Sequence, residues 1–167
     1  MRKLSESDKR LKIYLDDHAA LMLGELELVR RCQHSNRSSP LGDFLERMHV
    51  EVKAQRSIAR DVMHRIGGRE SLVKGSGAWL AEKLGRFKLN GTVLTYSSLS
   101  RVLELETLAA AAVERIAVWD NLDAIAASDE RLAGISFDFF RQQAREHLDE
   151  LNTRRRHAAV EALKVSM

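Results

Sequence analysis

The stretch LKIYLDDHAALMLGELELVRRC, residues 11–32, has the periodicity of a long amphipathic helix. Its apolar side chains recur at steps of three and four residues, which places them on one face of an α-helix. That face consists of Leu11, Tyr14, Leu15, Leu21, Met22, Leu28, Val29 and Cys32. Ser5 is a typical N-cap, and the helix dipole favours Asp8 in the first turn. The pattern therefore predicts a first helix from about Ser5 to Gln33.

The same spacing predicts a second helix after the loop HSNRSSP. Ser39 and Pro40 are typical of the N-cap and the first helical residue. Apolar residues then follow one face, namely Leu41, Leu45, Met48, Val52, Ala59, Val62 and Ile66. The helix is expected to end at about Ile66, because Gly67 and Gly68 favour a stop there.

Two more helical segments follow downstream. The third is predicted over about 98–126, with an inward face of Val102, Leu105, Ala109, Ala112, Val113, Ile116 and Trp119. The fourth is predicted over about 137–165, with Ser136 as its N-cap. No internal repeat and no second-domain boundary interrupts the pattern. The sequence therefore predicts an all-α four-helix bundle that forms one domain over residues 1–167.

The connection between the second and third helices is long. Its roughly thirty residues, 69–97, carry one short apolar pattern broken by glycines. A connection of that length can run along the bundle and let helices two and three lie parallel, so we expect a crossover with a short extra helix. A hairpin at Asn90 and Gly91 is the alternative, because residues 92–96 favour a strand.

Composition excludes several classes of protein. With 44% hydrophobic and 31% charged residues, the chain can bury a core, which argues against disorder. The single cysteine, Cys32, excludes a disulfide framework and a cysteine-based zinc site. A net charge of +3 from well-mixed residues gives no basis for nucleic-acid binding. Because the sequence shows neither a membrane span nor an export signal, we expect a cytoplasmic protein without a nucleic-acid or membrane partner.

Polar residues on the inward faces are the candidates for function, since sites in helical bundles are built from such side chains. Glu25 and His18 lie on the apolar stripe of the first helix. A buried carboxylate costs several kcal/mol unless it is paired or bound to a metal. Two explanations for Glu25 are open: it is a metal ligand, or it is a core Glu that is satisfied by an Arg, Tyr or His from another helix or lies near an end of the bundle.

The second helix contains the pattern Glu46-x-x-His49, a spacing with which both side chains can reach one metal ion. At 100° per residue, however, Glu46 lies about 150° and His49 about 95° from the centre of the apolar stripe. Gln55 lies nearer to the centre, and we expect it to be hydrogen-bonded across the core.

The third and fourth helices add three candidates. Glu106 lies at the flank of the third apolar stripe, and Glu104 points further outward. His147 faces inward on the fourth helix. A single core histidine is more often a hydrogen-bonded packing residue than a ligand, but the metal explanation gains weight if Glu25 and His147 lie at the same level.

Segments from both halves of the chain resemble a known family. LDDHAALMLGE (15–25) and SPLGDFLERMHVE (39–51) resemble the first half of a ferritin-like protein. VLELETLAAAAVERIAVWDNL (102–122) and AREHLDELNTRR (144–155) resemble the second half. The similarity is closest to the small bacterial stress-associated ferritin-like bundles of unknown function. It implies a ferritin-like four-helix bundle with one long crossover.

In ferritin-like di-iron proteins, helices one and three each supply a Glu, and helices two and four each supply Glu-x-x-His. The resemblance therefore implies a ligand set of Glu25, Glu46, His49, Glu106 and His147. Glu104 is the alternative to Glu106 on the third helix. The chain departs from the family at Ala144, three residues before His147, where the pattern needs a Glu. This departure removes one carboxylate from a two-metal centre.

Two functions follow as hypotheses. The first is a metal-binding or redox bundle that holds one or two ions of iron, manganese or zinc, which suit carboxylate and imidazole ligands. The second is a metal-free structural or interaction bundle, with Trp79, Phe87 and Leu89 of the crossover as a contact surface. The resemblance also implies a homodimer. No glycine-rich phosphate loop or cysteine–histidine arrangement indicates phosphate or nucleophilic chemistry.

Overall fold

The structure, a computed structural model, describes residues 4–68 and 96–164. Within these two ranges the chain forms four long α-helices, a short 3₁₀ turn and no strand. The helices are α1 (Glu6–Ser35), α2 (Pro40–Arg65), α3 (Ser98–Ala126) and α4 (Phe137–Leu163), and the turn is Glu130–Leu132. The predicted all-α fold class is confirmed. None of the described helices combines the length and the apolar composition needed to cross a membrane.

Local sequence signals determine where the helices begin. The Ser5 hydroxyl accepts from the Asp8 N–H while the Asp8 carboxylate accepts from the Ser5 N–H, which is a capping box. Ser39 caps α2, as the sequence predicts, and Ser97 caps α3. Ser136 occupies the N-cap position of α4, as predicted, but its side chain makes no capping hydrogen bond.

Side-chain contacts along the helices fix their directions. Arg31 contacts Glu104 near the end of α1, and Tyr14 contacts Asn121 near its start, so α1 and α3 are antiparallel. The short turn 36–39 makes α1 and α2 antiparallel neighbours. It follows that α2 and α3 run in the same direction.

The core consists of two apolar clusters stacked along the bundle. One includes Leu45, Leu105 and Leu151, and the other includes Trp119 and Val62. On every helix a buried polar residue lies where the chain passes from one cluster to the other. These residues are Glu25 on α1, Gln55 on α2, Arg115 on α3 and His147 on α4. A polar layer therefore separates the two clusters.

The predictions about the crossover lie outside the described residues. These are the short extra helix, the alternative hairpin at Asn90 and Gly91, and the contact surface of Trp79, Phe87 and Leu89.

The turn between α1 and α2 depends on a close backbone approach. Asn36 is buried there, and its side-chain amide donates to the Cys32 carbonyl at 2.7 Å and to the Tyr96 hydroxyl at 2.9 Å. The backbone of Gly42 packs closely against the backbone carbonyl of Asn36. A Cβ at position 42 would overlap with the Asn36 carbonyl oxygen and lie 2.9 Å from the carbonyl carbon.

We expect Gly42→Ala to lower the free energy of unfolding by about 1–3 kcal/mol, because rigid backbone atoms must move apart. Urea unfolding of the variant and the wild type measures the change. Ser38→Ala, an exposed substitution in the same turn, is the matched control and should stay within about 0.5 kcal/mol of the wild type. Equal effects of the two substitutions would contradict the assignment of a steric role to Gly42.

Candidate functional site

Arg115 of α3 lies at the centre of the polar layer, with only 1% of its surface exposed. Its Nε donates to Glu25 Oε2 at 2.9 Å. Its Nη1 donates to Gln55 Oε1 at 3.1 Å, and its Nη2 donates to His147 Nδ1 at 3.1 Å. One guanidinium thus joins a residue from each of the other three helices.

Gln55 is held in one orientation by its neighbours. Its carbonyl oxygen accepts from Arg115 Nη1 and, at 2.8 Å, from the indole N–H of Trp119. Its amide nitrogen donates to Gln143 of α4 at 2.7 Å. The prediction that Gln55 is hydrogen-bonded across the core is confirmed.

His147 links the guanidinium to the surface of the bundle. Because Arg115 can only donate, Nδ1 of His147 must offer its lone pair, which leaves the proton on Nε2. That Nε2–H donates to the half-exposed carboxylate of Glu51 at 2.5 Å. Burial and the Arg115 cation lower the pKa of His147, while Glu51 and Glu146 act in the opposite direction.

Glu25 is the counter-charge of Arg115, and it receives few hydrogen bonds from the described residues. Burial raises the pKa of the Glu25 carboxyl, and the adjacent Arg115 opposes that shift. Both carboxylate oxygens share one donor, the Nε–H of Arg115, at 2.9 and 3.2 Å. A carboxylate accepts about four hydrogen bonds, and the described residues supply Glu25 with one N–H donor for its two oxygens.

The structure brings together two of the five predicted ligands. Glu25 and His147 lie at the same level, but the Arg115 guanidinium stands between them. Of the two explanations left open for Glu25, the structure shows the arginine partner from another helix. Across the described residues, no three or more His, Cys, Asp or Glu side chains are grouped so that they could hold a metal ion.

Glu46 and His49 lie away from the polar layer. Glu46 is exposed, as its wheel position indicates, and His49 is half-buried in a groove between α1 and α2. Burial and the nearby cations Arg30 and Lys53 lower the pKa of His49. The two residues therefore do not join Glu25, because the face of α2 that carries them turns toward solvent.

The order of the acidic residues on α3 is the reverse of the prediction. Glu106 has 48% of its side chain exposed, whereas Glu104 is buried and contacts Arg31 at 2.8 Å. Val113, predicted to face inward, is 51% exposed. The reason is that α3 packs against both α1 and α4. Its buried face, which includes Glu104, Leu108, Arg115 and Val118, is therefore rotated from the predicted stripe toward α1 and leaves Val113 on the solvent side.

Sequence reasoning missed Arg115 and Glu51. On a helical wheel Arg115 lies about 40° beyond Trp119, just outside the stripe predicted for the third helix. Its position beside that edge was only a weak signal of burial. No local pattern indicated Glu51, because its partner His147 lies 96 residues further along the chain.

The Arg115–Glu25 pair should show strong energetic coupling. Arg115→Met leaves Glu25 without a counter-charge, and Glu25→Leu leaves Arg115 in the same state, so each should cost about 3–5 kcal/mol. The double variant should cost clearly less than the sum, as urea unfolding of all four proteins would measure. The exposed pair Arg101–Glu161 is the control and should show far weaker coupling. Additive effects for Arg115 and Glu25 would contradict a direct pair.

Stability should fall in mild acid because of His147. Its pKa is lowered in the folded state, so the unfolded chain binds a proton that the folded chain does not. The stabilisation is therefore complete above about pH 6.5 and is lost as the pH falls from there toward the folded-state pKa. His18, whose pKa is also lowered, acts in the same direction, and the raised pKa of Glu25 acts in the opposite one.

We expect His147→Gln to reduce this loss by up to about 1.4 kcal/mol per pH unit, since an amide keeps an acceptor and a donor without titrating. Urea unfolding between pH 5 and 7.5 gives the slopes. His157→Gln, at an exposed position of the same helix, should leave the wild-type slope unchanged. An unchanged slope in His147→Gln would show that other groups cause the acid sensitivity.

Comparison with protein-family models, with curated proteins and with solved structures finds no match to this chain. The chemistry of the site therefore rests on its own residues. Those residues form a largely buried network whose central cation is a side chain of the protein itself.

Proposed function

We propose that this chain is a metal-free helical bundle of ferritin-like architecture that acts as a binding or structural module. The observation that carries the proposal is the Arg115 guanidinium, which lies within 3.1 Å of both Glu25 and His147. These are the two inward residues that the resemblance identifies as metal ligands. The guanidinium supplies from within the chain the positive charge that an ion would bring to Glu25.

Metal uptake at this place would require the guanidinium to leave. The Nδ1 lone pair of His147 already accepts from Arg115, so it is not available to an ion. A displaced Arg115 would lose its partners on three helices, and breaking one buried pair alone costs about 3–5 kcal/mol. An arginine also keeps its charge at physiological pH, so it does not vacate the position by deprotonation.

Two further features support the proposal. The parallel direction of α2 and α3 suits the single long crossover of ferritin-like bundles. On α3, the outward residues Leu99 and Val113 are 41% and 51% exposed, and Ala110 and Ala117 are exposed beside them. Exposed apolar side chains that share one helix face are typical of a surface that a partner covers. This surface favours a function in binding.

A metal-binding bundle is the second candidate. The observation in its favour is that Glu25 and His147 lie at the same level of the bundle. In that case Arg115 would have to swing out when an ion of iron, manganese or zinc enters.

Element analysis of protein produced in medium supplemented with iron, manganese and zinc separates the two candidates. We expect far less than one ion per chain, and the urea midpoint should be the same with chelator as with added metal, because Arg115 already neutralises Glu25. Glu25→Gln, which keeps the shape of the side chain, is the matched variant.

One ion per chain in the wild type, lost in Glu25→Gln, would overturn the metal-free proposal. A metal-dependent rise of the urea midpoint that the same substitution abolishes would do so as well.

A further inference from the structure

A cleft lies between α1 and α3 at the level of the Arg115–Glu25 pair. It has a volume of about 190 Å³. The described residues that form its apolar walls are Leu21, Met22, Leu28, Ala110 and Ala111. Glu25 and Arg115 line it as well, so the cleft connects the outside of the bundle with the buried ion pair.

The cleft exists because α3 presents small side chains where α1 presents large ones. Ala110 and Ala111 face the cleft opposite Leu21 and Met22. A larger side chain at position 111 would reduce that space. The volume exceeds the roughly 150 Å³ of an engineered apolar cavity that binds benzene. An aromatic ring with a short chain is therefore of suitable size.

Charge determines what kind of head group the cleft accepts. Two carboxylates, Glu25 and Glu114, line it against the single guanidinium of Arg115. His18 also lines the cleft, and burial lowers its pKa, which favours the neutral ring at pH 7. Glu25 uses one N–H donor for its whole carboxylate. The lining is therefore rich in acceptors and short of donors and positive charge.

We propose that this cleft binds a small primary amine with a hydrocarbon body, whose ammonium group donates to Glu25 while the body lies against the apolar walls. An ammonium has three donors and no acceptor, which is the complement of a carboxylate with unused acceptor positions. An anionic head group would face Glu25 and Glu114 at close range. The inference rests on the proposed function, since a metal at Glu25 would take the same acceptor positions.

The probe is 2-phenylethylamine, with 2-phenylethanol and phenylacetate as the uncharged and anionic compounds of the same size. Calorimetric titration of the chelator-treated wild type at pH 7 should show saturable binding of one amine per chain. The alcohol should bind at least tenfold more weakly, and the anion should not bind measurably. Equal affinities for amine and alcohol, or no saturable binding of the amine, would overturn the proposal.

Substitutions on α3 locate the binding. Ala111→Leu and Ala110→Leu fill the cleft from one wall, and each should weaken amine binding at least tenfold. Ala124→Leu, at an exposed position of the same helix nine residues beyond Arg115, is the matched control and should bind like the wild type. Circular dichroism confirms that each variant is folded before titration. Full affinity in both cleft variants would place the amine elsewhere.

The metal content of the protein as purified, measured before the chelator treatment, keeps the two proposals apart. If the amine does not bind and no metal is present, the cleft proposal fails while the metal-free bundle stands. If one ion per chain is present and lost in Glu25→Gln, the metal-free bundle itself fails.

Discussion

The buried ion pair between Arg115 and Glu25 is the interaction on which the rest of the structure depends. Each charge costs several kcal/mol to remove from water, and the mutual attraction offsets this only when the remaining donors are also satisfied. Gln55 and His147 supply those acceptors from the other two helices. A slip of any helix by one turn, about 5.4 Å, would remove one partner from the guanidinium. The pair therefore favours a single register of four helices, which apolar packing alone specifies less strictly.

The polar layer also connects two sides of the molecule. Glu51 contacts solvent beside α2 and α4, and His147 and Arg115 lead from it to Glu25, which lines the cleft between α1 and α3. Every link is a hydrogen bond whose donor is fixed by chemistry, since arginine has no acceptor. A proton added to His147 would remove the acceptor for Arg115 Nη2. Protonation of His147 beside Glu51 would therefore remove one partner of the buried guanidinium that lines the cleft on the other side.

The sequence predicts the helices well because their signals are local. The Ser5 and Ser39 caps and the apolar stripe around Gln55 all depend on residues a few positions apart. The site is less predictable, because the Glu25–Arg115 pair spans 90 residues and no periodicity records such a contact. On α3 the apolar residues surround the helix, so a wheel gives no sharp inward direction. The exchange of Glu104 and Glu106 between inside and outside follows from that ambiguity.

A carboxylate neutralised by a guanidinium differs in its remaining binding capacity from one neutralised by a metal ion. An ion binds several ligands at once and exchanges with solvent, whereas a guanidinium is covalently attached, redox-inert and directional. Arg115 reaches Glu25 with one N–H and directs its other two nitrogens elsewhere, so it balances the charge of Glu25 without filling its acceptor positions. Full coordination by a metal would leave little for another molecule to bind. Under the metal-free proposal, the incompletely satisfied carboxylate at the cleft is therefore the feature from which a binding function would arise.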